Sequence, residues 1–168
     1  TMKKLPAMER VIDYPFTDCK CELMDVYLIS QCRLYIGMQS GILDVAMLFQ
    51  RPIIMTNMAG WVFPFSQKRG DLALFKHVYS HRMQRFLSIR EWLCEPWKAT
   101  APNPSQADYT YHENSPDEIR DIVREYFDRK GDWRPTPLQQ EFNDFRVVKA
   151  HQMFELPVLP DDPADCAW

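Results

Sequence analysis

The chain has 168 residues, a length that fits one domain or a small pair and excludes most large multidomain enzymes. With 46% hydrophobic against 26% charged residues it is not a disordered polymer, and we expect a packed core. The formal net charge of −3 argues against a general nucleic-acid-binding protein, because such domains usually carry a basic excess.

The composition also bears on cellular context. The N-terminal residues lack the apolar core of a signal peptide, and no apolar run approaches the roughly 18 residues of a membrane-spanning helix. The five cysteines are odd in number and include no pair of CxxC units, which disfavours a zinc site. We therefore expect a reduced, cytoplasmic protein with no bound metal and no transmembrane segment.

The first half of the chain predicts an alternation of helices and strands. Residues 22–32 predict a helix, 34–37 a buried strand, a second helix opens at Ser40 and runs to Phe49, and 53–56 predict a second buried strand. Apolar residues at helical spacing support both helices: Leu23, Val26 and Tyr27, then Ile42, Val45, Ala46 and Phe49. The order strand, turn, helix, strand predicts a right-handed parallel crossover, the unit of doubly wound sheets.

The second half carries clear helix signals. Ser88 to Glu91 and Ser115 to Glu118 fit the capping box, in which serine and glutamate satisfy the first free amides of a helix. The helix that begins at the Ser115 capping box should end at Gly131, and a last helix should cover 138–153. The proline-rich stretches 95–114 and beyond Pro157 predict irregular structure.

These elements predict an α/β fold with a Rossmann-like parallel sheet and flanking helices. We assign residues 1–131 to that domain. Residues 132–168 are expected to form a C-terminal helix and an irregular, proline-rich tail that packs on it.

The first strand end suggests a phosphate site. In an open parallel sheet, ligands bind beyond the carboxyl ends of the strands, where helix N-termini converge. Here that end is Gly37-Met38-Gln39-Ser40-Gly41. Gly41 permits close approach, Ser40 offers a hydroxyl, and the first free amides of the helix point at an anion. The alternative is an ordinary serine N-cap followed by a small residue.

Other polar residues could join this site. Asn57, with Gly60 and Trp61 close behind it, follows the second strand and could meet a ribose, base or sugar, although asparagine in such turns often bonds backbone. Lys76 and Arg82 could neutralise phosphate charge, and a plain surface role is the alternative for each. They lie in a segment, 68–90, that holds six basic residues against one acidic residue.

Catalytic motifs are not visible. The sequence has no GxSxG, HExxH, GxxxxGK[ST] or GxGxxG, so serine hydrolases, zincins, P-loop ATPases and ordinary dinucleotide dehydrogenases lose support. Asp13 and Asp25 could act as general bases, but no sequence feature pairs either with a substrate. The catalytic residues stay unassigned.

Two runs carry a family resemblance. Residues 24–41, MDVYLISQCRLYIGMQSG, followed by 48–57, LFQRPIIMTN, resemble the C-terminal, donor-binding half of GT-B glycosyltransferases, and more closely a group of bacterial glycosyltransferases. The similarity continues through Lys76 and both capping boxes, so it spans about residues 12–127.

The resemblance implies a function. It implies a domain that binds a nucleotide-diphosphate sugar as donor substrate, with Ser40 and Gly41 at the diphosphate and Asn57 and Lys76 near the nucleotide or sugar. It implies metal-independent chemistry without a cofactor, because helix dipoles and basic residues stabilise the leaving diphosphate in such enzymes. It also implies that the catalytic base belongs to a separate acceptor-binding domain.

Two alternatives remain open. One is a non-catalytic module that keeps the fold and binds a protein partner, or a second copy of itself, through the apolar tail 154–160. The other is a sugar-phosphate hydrolase or isomerase, which is less favoured because no acid–base pair adjoins the anion site.

Overall fold

The computed structural model describes residues 3–59, 70–94, 108–129 and 133–144, and for residues 92–94 it describes the backbone only. The helices are α1 (Glu22–Gln31), α2 (Gly41–Leu48), α3 (Ile89–Cys94), α4 (Pro116–Asp128) and α5 (137–144). The strands are β1 (Tyr35–Gly37), β2 (Ile53–Met58), β3 (Leu72–Phe75), β4 (His77–Ser80), β5 (Arg85–Phe86) and β6 (Tyr109–His112). A short 3-10 turn, Tyr14–Phe16, precedes α1.

A three-stranded parallel sheet, sheet A, forms the centre of the fold. Its strand order is β1-β2-β3, and both pairings are parallel. Helix α2 connects β1 to β2, so the predicted parallel crossover between these two strands is confirmed. The chain is therefore a mixed α/β protein, as the sequence predicted.

Sheet A has helices on both faces. In β2, Ile53 and Met55 pack into a cluster with residues of α1 and α2, while Ile54 packs with Ile122 of α4 on the opposite face. All three β2 residues are almost fully buried. Burial on both faces explains why this strand is a continuous apolar run rather than an alternating one.

A second, antiparallel sheet, sheet B, has the order β5-β4-β6. Strand β4 follows β3 after Lys76 alone, and its buried Val78 joins the α1/α2 side of the core. The expectation that 95–114 is irregular was wrong for β6. Nearby prolines suggested a loop, but residues 109–112 gain backbone partners from β4, 29 to 35 residues away in sequence, which a local pattern does not reveal.

The sequence predicted where α1 and α2 lie along the chain, but not which of their side chains are buried. Helix α1 was expected to bury Leu23 and Tyr27, yet Leu23 is 79% exposed and Ile29 is the buried residue. In α2 the buried residues are Leu43 and Ala46, whereas Ile42 is largely exposed. Both helices are apolar on several sides, so spacing alone does not select the buried face.

Helix α4 was predicted best. Its Ser115–Glu118 capping box is present, and Ile122 packs in the core as expected. Helix α3 begins after Ser88, and α5 covers 137–144 of the predicted C-terminal helix. The predicted stop at Gly131, the rest of that helix and the tail beyond Pro157 lie outside the described residues.

Candidate functional site

The carboxyl ends of β1, β2 and β3 meet at one edge of sheet A, because the three strands are parallel. We call this the carboxyl edge; it comprises the turn 38–40 with the start of α2, Asn57 and Lys76. Two hydrogen-bonding contacts connect the ends of β1 and β2. The Thr56 hydroxyl lies 3.4 Å from the Gly37 carbonyl oxygen, and Asn57 Nδ2 lies 3.8 Å from Met38 Sδ. The structure therefore brings the first two predicted parts of the site together.

The turn before α2 is bonded to the helix through its backbone, since the Leu43 amide donates to the Ser40 carbonyl at 2.9 Å, but not through the Ser40 side chain. Ser40 is the N-cap of α2, in extended conformation, and its side chain makes no capping hydrogen bond. Gln39, Ser40 and Gly41 are all exposed. The Ser40 hydroxyl is thus not committed to stabilising its own helix, which weakens the interpretation of Ser40 as a plain N-cap.

The two glycines of this turn differ in what surrounds them. Apart from its chain neighbours and its own helix backbone, no atom of the described residues lies within 4 Å of a Cβ built on Gly41. A Cβ on Gly37 would come within 2.5 Å of the Tyr35 hydroxyl, which is the far end of a side chain. No neighbouring group among the described residues therefore requires glycine at 41, whereas glycine at 37 makes room for Tyr35.

Asn57 has a structural partner. Its backbone has φ +55°, a left-handed conformation that asparagine tolerates better than most residues. The Asn57 amide donates to Asn114 Oδ1 at 2.7 Å, and the Asn114 amide donates to Asn57 Oδ1 at 2.6 Å. The Asn57 carbonyl oxygen of the side chain is thus used within the fold, and only its Nδ2 faces Met38 at the edge.

Asn114 is the residue at this edge that sequence reasoning did not select. It is 7% exposed, and its Nδ2 donates to the Phe75 carbonyl at 2.8 Å. Asn114 therefore joins the ends of β2 and β3 to the start of α4. Its position directly before a capping box was visible in the sequence, but its partners lie 39 and 57 residues away.

Lys76 extends the edge to a third strand end. Its amide donates to the Met58 carbonyl at 2.9 Å, which continues the pairing of β2 with β3. The side chain is 23% exposed, and Nζ lies 3.6 Å from Glu113 Oε1. At that distance the pair is longer than a hydrogen bond, so the ammonium group can still bind an anion.

Arg82 lies elsewhere. It occupies the exposed turn 81–84 after β4, whereas Lys76 precedes β4. Two other described members of the basic segment are paired: Arg85 binds Glu91 and Arg90 binds Glu141. Lys68 and Arg69 lie outside the described residues, and among the described basic residues of the segment Lys76 lies at the carboxyl edge.

Two helices begin at this edge, and they differ. At α4 the Ser115 side chain accepts from the Glu118 amide, and the Glu118 carboxylate accepts from the Ser115 amide. This hydrogen bond from the Ser115 backbone is the main cause that lowers the pKa of Glu118, which also binds His77 at 2.7 Å. The N-terminus of α4 is therefore closed by its own side chains, while that of α2 is open.

The two candidate general bases belong to the N-terminal segment. Asp13 accepts a hydrogen bond from the Leu5 amide at 2.8 Å. Asp25 binds the Lys20 ammonium, and this bond, followed by one to Tyr14, lowers the Asp25 pKa. A lowered pKa makes a carboxylate a weaker base near neutral pH, so Asp25 is less suited to that role.

The described ranges, 3–59, 70–94, 108–129 and 133–144, bear on a metal site and on a membrane span. There, no group of three or more histidine, cysteine, aspartate or glutamate residues is arranged to hold a metal ion. Within the same ranges, the helices all fall short of the length and hydropathy needed to span a bilayer.

Comparison of the chain with protein-family models, with curated proteins and with solved structures found no match. A functional assignment therefore has to rest on the arrangement of the residues at the carboxyl edge and on the motifs of the sequence.

Proposed function

We propose that this chain is the donor-binding domain of a metal-independent glycosyltransferase with a Rossmann-like fold, and that it binds a nucleotide-diphosphate sugar at the carboxyl edge of sheet A. The observation that carries the proposal is the N-terminus of α2, where the Ser40 hydroxyl makes no cap bond and no described residue outside α2 and its flanking turn lies within 4 Å of a Cβ built on Gly41. Helix N-termini favour phosphate groups through their free amides and their dipole.

Lys76 is the described cationic group of this edge, where Glu113 and, in the first turn of α2, Asp44 are acidic. Lys76 places an ammonium group beyond the end of β3, two strands from the Ser40 turn, or about 10 Å at ordinary strand spacing. An extended ligand can therefore meet the α2 amides at one end and Lys76 at the other. Asn57, which lies within β2 near its carboxyl end rather than after the strand, adds a hydrogen-bond donor between them through its Nδ2.

The described residues supply binding groups more clearly than catalytic ones. Among the described residues no acid–base pair is found at the Ser40 turn, and Asp25 is engaged by Lys20. This division suits a donor-binding half, in which the amides of α2 and Lys76 stabilise the leaving diphosphate while a separate acceptor-binding domain supplies the base. The sugar and the acceptor stay unassigned in this proposal.

Calorimetric titration with UDP-, GDP-, ADP- and CMP-sugars tests the proposal. We expect one of these donors to bind, and Ser40→Ala to weaken binding by about 1 kcal/mol through one lost hydrogen bond. Gly41→Val should weaken it further because its side chain fills the approach to the amides.

The stability of the same variants provides the control. Since Ser40 makes no cap bond, Ser40→Ala should leave the free energy of unfolding nearly unchanged, whereas Ser115→Ala should cost about 1 kcal/mol. Absence of heat from all four donors, with a folded protein, would contradict the proposal.

A second candidate function is a non-catalytic module that binds a protein partner. The observation in its favour is the exposed apolar side of α1, where Leu23 and Tyr27 lie in solvent. The proposed tail, 154–160, lies outside the described residues. Light scattering of the intact chain and of a chain ending at His151 tests the role of the tail: a change in oligomeric state on truncation favours the module, and an unchanged state excludes self-association through the tail.

A further inference from the structure

The outer surface of sheet B is built almost entirely of ring side chains. Successive side chains of a strand point to opposite faces of the sheet, so Val78 and Ser80 of β4 are buried while their neighbours point outward. The outward residues, which we call the ring face, are His77, Tyr79, His81, Phe86, Thr110 and His112. Five of the six carry rings and none is acidic, whereas a merely solvated sheet face is ordinarily polar or charged.

Phe86 is held in place at the centre of this face. Its ring lies 5.3 Å from Tyr79 and 5.2 Å from His112, both nearly perpendicular to it, and 6.3 Å from His77. It nevertheless remains 50% exposed. Because its neighbours already fix the ring, stacking a ligand on it costs little side-chain entropy.

The ring face meets the carboxyl edge at one end. His77 directly follows Lys76, and His112 is its partner across the antiparallel pair. Two residues after His112, Asn114 bonds the end of β2 through Asn57. Phe86 contacts both histidines, so the exposed aromatic ring adjoins the strand ends where we place the diphosphate.

Two cationic side chains flank the ring face, Lys76 at one end of β4 and the exposed Arg82 at the other. Two carboxylates border it, but Glu118 is engaged in the α4 capping box and with His77, and Glu113 lies 3.6 Å from Lys76.

We propose that the ring face is the nucleobase subsite of the donor, with the base stacked on Phe86 and the diphosphate leading away past Lys76. Every nucleobase presents a planar π-face, and stacking on an aromatic side chain beside basic groups is a common way to hold one. This inference rests on the proposed function, because it assumes that the ligand is a nucleotide.

Calorimetry with inorganic pyrophosphate and with UDP, GDP and ADP separates the two proposals. We expect a nucleoside diphosphate to bind at least tenfold more tightly than pyrophosphate. Phe86→Ala should weaken nucleotide binding about tenfold, as expected for one lost stack, and should leave pyrophosphate binding within twofold. Phe86→Trp should retain nucleotide binding. Phe127→Ala, which removes a ring of nearly equal exposure from α4, is the matched control and should change neither affinity.

The outcomes differ for each claim. Equal affinity for pyrophosphate and all three nucleotides, or an unchanged nucleotide affinity in folded Phe86→Ala, would overturn the nucleobase subsite while leaving the diphosphate site intact. Absence of binding by both pyrophosphate and nucleotides would overturn the proposed function and this subsite with it.

Discussion

The reciprocal amide pair of Asn57 and Asn114 shows how one residue can hold the candidate site together. Each side-chain oxygen accepts the other residue's backbone amide, and Asn114 also caps the last carbonyl of β3. The left-handed backbone at Asn57 then becomes tolerable, because the conformation is fixed by two hydrogen bonds.

Asn114→Ala should lower the free energy of unfolding by about 2–3 kcal/mol. It removes two side-chain hydrogen bonds and leaves the Asn57 amide and the Phe75 carbonyl without these partners. Urea denaturation measures the effect. Asn143→Ala, at an exposed position of α5, serves as the control and should change stability by less than about 0.5 kcal/mol. Equal stability of both variants would show that the amide pair does not hold the edge.

Tyr111 presents the opposite case, a buried hydroxyl that does not stabilise the fold. It points into the protein from β6, no described residue hydrogen-bonds its oxygen, and burial raises the pKa of Tyr111 to about 12. Tyr111→Phe should therefore leave stability unchanged or raise it by up to about 1 kcal/mol, because a desolvated polar group is removed. A loss of more than 1 kcal/mol in thermal denaturation would reveal a partner for this hydroxyl.

At the scale of elements, the capping box of α4 couples stability to pH. Hydrogen bonds from Ser115 hold the folded-state pKa of Glu118 below its ordinary value of 4.5. A depressed pKa contributes stability that is present above the unfolded-state value and is lost as the pH falls through the folded-state value. The contribution should therefore be intact at pH 7 and should decline below about pH 4.5.

Glu118→Gln should make the stability less dependent on pH in this range. We expect the difference in urea midpoint between wild type and Glu118→Gln to be largest at pH 7 and to shrink towards pH 3. Asp128→Asn, at the other end of α4, is the control and should leave the pH dependence as in wild type. A Glu118→Gln profile parallel to the wild-type profile from pH 7 to pH 3 would contradict this role of the box.

The helices and strands that the sequence predicted are those that depend on residues close to one another in sequence. The capping residues and the apolar run of β2 depend on neighbours in sequence, and the sequence predicted the start of α4 and the β1–α2–β2 unit from them. Sheet B depends on pairing between distant segments, with β6 joined to β4, and it was not predicted. The ring face was missed for the same reason, since its members are separated by up to 35 residues in sequence.

For the molecule as a whole, the sequence predicted the α/β class and the first strand end of the candidate site. It did not predict that Arg82 would lie beyond β4 or that Asn57 would be bonded by Asn114, because both depend on the path of the chain after β3. The basic excess of residues 68–90 is a property of their composition and does not show where their charges lie. In the fold, Arg85 and Arg90 form ion pairs with Glu91 and Glu141.

Binding of a nucleotide-diphosphate sugar at the carboxyl edge of sheet A is tested most directly by amide NMR, with titration of the isotope-labelled chain by the UDP-, GDP-, ADP- and CMP-sugars. We expect one donor to shift the amide signals of residues 38–43, Asn57 and Lys76, with smaller changes at the opposite, amino-terminal edge near Gly70. Saturable shifts confined to other surfaces, or no shifts with any of the four donors, would contradict it.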